Sequence, residues 1–205
     1  MARVTTERVE QTKRELLEAA REVLSKEGFA GLSTRRVADV ADTQMSQIRY
    51  HFGSKEGMIL ALFEYMNAGL LERQKLAFDD RALSISQKWA LACDYLDEDL
   101  ASGYVRVLQE LIAAGWTNPS IRKAVQTALG EWHALLAQLA REASEQTGTL
   151  GPFTPDGMAS LIASAFIGAE ALILLGYEDR VHPVRDALRQ IGDVIAAYED
   201  QPNKR

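Results

Sequence analysis

Between Thr43 and Met58 the chain reads TQMSQIRYHFGSKEGM, a run dense in amide, hydroxyl, guanidinium, imidazole and ammonium groups. Gln44, Ser46, Gln47 and Arg49 carry the groups that suit base edges in a DNA major groove. Gln can bond adenine at two points and Arg can bond guanine at two points. Tyr50, His51 and Lys55 suit phosphates, as would the free backbone N–H groups of a helix opening after Ser54. The same strip would also serve as a plain solvated helix face, so its setting must decide. Catalytic chemistry has no comparable foothold. The chain offers no Ser-His-Asp pattern, Gly-rich phosphate loop or paired carboxylates, and no cofactor motif. His51, His133 and His182 lack neighbours at metal-ligand spacing, so no metal site is expected. The single cysteine, Cys93, excludes an intrachain disulfide and makes a reducing cytoplasm the expected compartment.

The elements that would position the strip read as helices throughout; apolar residues recur at helical spacing and nowhere alternate as in a strand. A first helix over about 10–27 places Leu16, Leu17, Ala20, Val23 and Leu24 on one stripe and stops at Gly28. Ser33 or Thr34 caps a short second helix, DTQ makes a tight turn, and MSQIRYHF forms a third helix ended by Gly53. Ser54 caps a fourth, running to about Phe78. Further helices are expected at about 84–102, 104–114, 119–147 (Asn118 as cap), 155–177 (Thr154 as cap) and from Pro183 to near the end. The expected fold is all-α with about nine helices. A three-helix headpiece containing a helix-turn-helix (33–52) comes first and a larger helical domain follows.

The charge distribution agrees with a local basic face. The chain of 205 residues carries a formal net charge of −6, but residues 1–55 hold 10 Lys and Arg against 8 Asp and Glu. The acidic remainder argues against a general nucleic-acid coat, not against a local contact. Residues 158–176, MASLIASAFIGAEALILLG, approach the length of a membrane span. Glu170 inside the run, and Glu178 and Asp179 just beyond it, favour instead a helix buried all round by protein.

Two short helices joined by a tight turn form a helix-turn-helix, and a third helix must brace them. Val37, Ala41, Ile48 and Phe52 would pack inward. Residues 19–63 resemble the DNA-binding end of the TetR family of bacterial transcriptional regulators. The matching features are Gly28–Phe29, Thr34, Val37–Ala38, Tyr50–Phe52 and Lys55–Glu56. Asp42 stands where the family turn usually carries Gly, Thr43 replaces an aliphatic residue, and Arg49 replaces a frequent Tyr. Arg49 could therefore meet base or phosphate. The resemblance implies a DNA-binding domain over 9–69, its fourth helix shared with the next domain. Thr34 and Arg35 would then open helix two against a phosphate and possibly a base. Gln44, Ser46 and Gln47 would read bases, while Tyr50, His51 and Lys55 held phosphates.

The resemblance also implies that residues 70–205 bind a small-molecule effector and dimerise, which would make the chain a ligand-responsive repressor on a palindromic double-stranded operator. Small residues on the 155–177 helix support a homodimer seam. Leu161, Ser164, Ala165, Gly168 and Leu172 would form it with Leu188, Ile191 and Ile195 of the last helix; the same helices could instead be monomer core. Trp89, Cys93, Tyr104, Trp116, Trp132 and Phe166 are candidates to line an effector pocket. Glu170 could pair with a ligand cation or with Arg106 or Arg122. The competing class is an all-helical enzyme or small-molecule carrier whose helix-turn-helix is incidental.

Overall fold

The computed structural model describes residues 2–178 and 180–200, with side chains from residue 7 onward. Among the described residues there are nine helices: α1 (Ala2–Gly31), α2 (Thr34–Val40), α3 (Met45–Phe52), α4 (Lys55–Asp79), α5 (Ile85–Ser102), α6 (Tyr104–Gly115), α7 (Pro119–Thr147), α8 (Pro155–Leu174) and α9 (Val184–Glu199). Apart from one isolated bridge between Leu150 and Pro152, no strand pairing occurs among them.

The boundaries follow from local chemistry. Gly28 leaves helical geometry at φ 71°, a conformation that costs glycine little, and one more turn closes α1. Ser33 caps α2, its Oγ accepting from the Arg36 N–H at 3.2 Å. Ser54 and Thr154 do the same for α4 and α8, accepting from the N–H groups of Gly57 at 3.0 Å and Gly157 at 3.1 Å. Between α2 and α3 the chain reverses through Asp42, whose φ of 48° is the one positive value outside glycine among the described residues. Asp tolerates this left-handed geometry better than most residues. An Asp42→Val protein should lose about 1–2 kcal/mol of stability in urea titration because a β-branched side chain is strained there. Asp42→Gly should lose none; equal loss from both would remove backbone geometry as the cause.

The chain divides into two compact units. Unit 1 comprises Met1–Ala68 and Asp99–Ala124; unit 2 comprises Gly69–Glu98 and Val125–Arg205. Helices α4, α5 and α7 each contribute residues to both. In unit 1, Leu16, Ala20, Val23 and Leu24 of α1 are buried with Val37, Ile48, Met58, Leu62 and Phe63. Gly103, at φ 83°, brings the α5–α6 turn so close to α1 that a Cβ would lie 3.0 Å from Leu24. In unit 2, Phe78, Ile85, Leu136, Ala137, Leu139 and Ala159 form a buried cluster. Glu199 ties α9 to the start of α5, accepting from the Ile85 N–H at 2.6 Å and the Ser86 hydroxyl at 2.5 Å.

Helix α8 departs from the expectation of burial on all sides. It is the one described helix long and apolar enough to cross a membrane by length and composition, yet only 22% of that stretch is buried within the chain. Ala159, Phe166, Ala169 and Glu170 pack inward, while the opposite side leaves Leu161, Ala165, Gly168, Leu172 and Leu175 exposed. The helix is apolar on two faces, of which one chain covers one.

Candidate nucleic-acid interface

Helix α3 is held by one buried side chain, Ile48, which is fully enclosed, and by half-buried His51 and Phe52. Everything else on it faces out. Gln44, Met45, Ser46, Gln47, Arg49 and Tyr50 are exposed. The Ser46 hydroxyl donates to Gln44 Oε1 at 3.4 Å, a weak contact that leaves both groups addressable. Tyr50 and His51 meet edge-on, with ring centroids 5.1 Å apart. Arg35 and Lys55 are exposed in the first turns of α2 and α4, and Thr34 is half-buried beside Arg35. Among the described residues Arg35, Arg49 and Lys55 form no ion pair, whereas Arg36 is held by Glu27 at 2.6 Å. The surface thus offers uncompensated cations, amides and two helix N-termini together.

The corner between α3 and α4 is set by backbone. Gly53 ends α3 at φ 74°, its N–H donating to the Arg49 carbonyl at 2.9 Å. A Cβ on Gly57 would lie 2.1 Å from the Phe52 carbonyl oxygen, so only glycine permits this approach. Farther along unit 1, Asn118 sits between two helices. Its Oδ1 accepts from the Ser120 and Ile121 N–H groups at 3.0 and 3.2 Å, capping α7. Its Nδ2 donates to both carboxylate oxygens of Glu56 at 3.3 and 3.4 Å. Arg122 fixes the adjacent end of α6, donating to the carbonyls of Gly115 at 2.9 Å and Trp116 at 2.7 Å.

The residues expected to line an effector pocket are drawn from both compact units. Trp89, Trp132 and Phe166 come together in unit 2, with Phe166 edge-on to both tryptophans at 5.6 and 6.1 Å. Trp89 Nε1 donates to the Leu188 carbonyl at 2.7 Å and Trp132 Nε1 to Gln74 at 2.9 Å. Cys93 is buried in the same unit, and burial pushes its thiol up to about 11. Glu170, one helical turn after Phe166, is 8% exposed. Tyr104 and Trp116 belong to unit 1. Tyr104 stacks on Phe63 at 5.8 Å and donates to Asn67 at 2.8 Å. Trp116 is 74% exposed and lines no interior. Arg122, a suggested partner for Glu170, is engaged by the two carbonyls already described, and Arg106 is exposed.

The residues expected to form a seam on α8 and α9 divide between outward and inward faces. Leu161, Ser164, Ala165, Gly168, Leu172 and Ile191 are exposed, but Leu188 is 6% exposed and packs inward beside Trp89. Ile195 is half-buried against the core of unit 2. The outward stripe of α9 runs one residue earlier, through Ala187, Ile191, Val194 and Tyr198. Val194, Tyr198 and Leu175 are exposed at 57%, 56% and 79%, apolar residues of this outward surface that the expected seam did not include. The signal was present: α9 carries apolar residues at i, i+4, i+7 and i+11 in two adjacent phases.

A braced helix-turn-helix with a polar, cation-bearing second helix defines the class: a helix-turn-helix protein with an attached all-helical unit. The profile described as bacterial regulatory proteins, tetR family, matches residues 16–62, so the helix-turn-helix headpiece is of the TetR type. It is 30% identical over 95 residues to the transcriptional repressor NicS of Pseudomonas putida, covering 45% of either chain. To the regulator CymR of Pseudomonas putida it is 29% identical over 130 residues, covering 60% of this chain and 61% of that one. The chain thus matches about half the length of these two relatives. Solved structures share the fold over most of it. A TetR-family regulator from Pectobacterium atrosepticum superposes with TM-score 0.68 at 24% identity, covering 94% of this chain and 92% of that one. A TetR regulator from Legionella pneumophila does so with TM-score 0.68 at 18%, covering 88% and 94%.

Proposed function

We propose that the protein is a cytoplasmic, ligand-responsive repressor that binds a palindromic DNA operator as a two-fold dimer. The observation that carries this reading is the outer face of α3, where exposed amides lie among cations without an internal partner. Gln44, Ser46 and Gln47 read bases, and Arg49 meets base or phosphate. Thr34, Tyr50, His51 and Lys55 hold the backbone, and Arg35 meets a phosphate or a base beside it. Met45, 54% exposed at the start of α3, adds an apolar contact of the kind that recognises a thymine methyl. Half-sites lie about one helical turn or a small multiple apart.

Replacing Gln47 or Arg35 by Ala should cost about 1–3 kcal/mol on the cognate site and relax preference at one base pair. Replacing Lys55 by Ala should weaken every sequence alike and lower the salt slope by about one charge. Titrating fluorescent duplexes at several salt concentrations distinguishes the two. Equal losses on cognate and random DNA for both Gln47→Ala and Arg35→Ala would remove α3 from the reading role.

An effector in unit 2 would meet Trp89, Trp132 and Phe166, with Cys93 and Glu170 close by in the same buried region. Helix α4 runs unbroken from Lys55 to Asp79, so a ligand that tilts its far end would change the spacing of the two recognition helices. Coupling of about 1–3 kcal/mol is expected, and it must be reciprocal. Operator DNA should therefore weaken effector binding, followed by tryptophan fluorescence, by the factor with which effector weakens DNA.

A further inference from the structure

We propose that Asn118 is a positioning residue for DNA binding: its amide links the start of α7 to the first turn of α4 and thereby holds Lys55 and α3 in their binding geometry. The proposal rests on the DNA-binding reading above. Asn118 performs two separable tasks with two different atoms. Oδ1 accepts the Ser120 and Ile121 N–H groups and caps α7, which is complete with that oxygen alone. Nδ2 is not needed for the cap, yet it donates to both oxygens of Glu56.

Glu56 follows Lys55 in the turn where α4 would meet a phosphate. A carboxylate there gains from the helix dipole but repels a phosphate if it swings outward. The Asn118 amide restrains it through two long contacts, at 3.3 and 3.4 Å, that gain from the carboxylate's charge. The hold extends to α3, because the Phe52 carbonyl rests against Gly57 with no room for a Cβ. The anchoring corner is itself firm. Arg122 secures the Gly115 and Trp116 carbonyls, and a Cβ on Gly115 would lie 3.2 Å from the Arg122 Cα.

Asn118→Asp separates the tasks, since Asp keeps the capping oxygen, lacks the donor and sets a second carboxylate against Glu56. On a duplex selected from a random library by the native protein, its affinity should fall about tenfold at pH 7.5, while its thermal midpoint stays within about 2 °C of native, because the cap survives. Adding Glu56→Gln to that variant restores an amide donor facing the new carboxylate and returns the net charge to the native value, so affinity should recover to within about threefold. The same Glu56→Gln change in the native background should act far more weakly, because the substituted amide still offers an oxygen to Asn118. Asn118→Ser, which caps but cannot span to Glu56, should lose about three- to fivefold without any new charge. Native affinity in both Asn118→Asp and Asn118→Ser overturns the proposal. So does a Glu56→Gln effect of equal size in both backgrounds, which would mark a simple charge effect. If the native protein selects no sequence at all, the DNA-binding reading fails and this role goes with it.

Discussion

A Gly168→Arg protein should sediment as a monomer, keep its helix content and bind operator at least about 100-fold more weakly than the native chain. The position is informative because a Cβ on Gly168 would meet nothing within 4 Å. A side chain can start there without meeting its own chain, and the position is exposed, so loss of the dimer with helix content kept would point to a second copy. Leu161, Ala165, Leu172 and Leu175 flank it on α8, and Ala187, Ile191, Val194 and Tyr198 line the outward side of α9. Two such surfaces related by a two-fold axis would make a four-helix seam in which each Gly168 meets its counterpart region. An unpaired charge buried there costs several kcal/mol, enough to dissociate a dimer at working concentrations. Separated copies read one half-site each, and joint reading of two half-sites is worth about 10²–10⁴ in affinity. A variant that remains dimeric by sedimentation and binds normally would place the seam elsewhere on the molecule.

The second large effect is on stability. Lys88 is buried on α5, its side chain 1% exposed, and its ammonium lies 2.8 and 2.9 Å from the two carboxylate oxygens of Glu142. Glu142 itself is 30% exposed and also accepts from Gln146 at 3.1 Å. The pair is therefore unequal in what each partner loses when alone. Glu142→Ala strands an ammonium in the interior and should cost about 2–4 kcal/mol, somewhat below a fully enclosed pair because water reaches the carboxylate side. Lys88→Met leaves a carboxylate that water can solvate and fills the space of the lysine stem, so it should cost less than half as much. Urea midpoints with unchanged slopes measure both. Equal costs for the two variants would show that Lys88 is solvated once Glu142 is gone.

Most helix ends were legible because single residues set them: Ser33, Ser54, Asn118 and Thr154 as caps, Gly28 and Gly53 as stops. The helix-turn-helix was legible for the same reason, down to Asp42 standing in for glycine in the turn. Which face of a doubly apolar helix turns inward was not. In α9, Leu188 and Ile191 both look like core from spacing alone, and only the position of Trp89, whose indole bonds the Leu188 carbonyl, decides between them. In α8 the run of apolar residues concealed two faces with different fates. Trp116 belonged to the aromatics most often found in interiors, but it follows the last turn of a short helix, where the chain reverses and nothing covers it. Lys88 gave no hint of burial because its partner lies 54 residues away. Distant pairings of this kind depend on packing that no local pattern records.

The contact between Gly57 and the Phe52 carbonyl gives the headpiece the character of a gear train without backlash. Side chains at an interface can switch rotamers and absorb a small displacement before passing it on. Backbone against backbone has less such slack, so a shift at the start of α4 is expected to reach α3. Any residue larger than glycine at 57 would force the two shafts apart and change the angle at which the teeth meet the groove, even with every tooth intact.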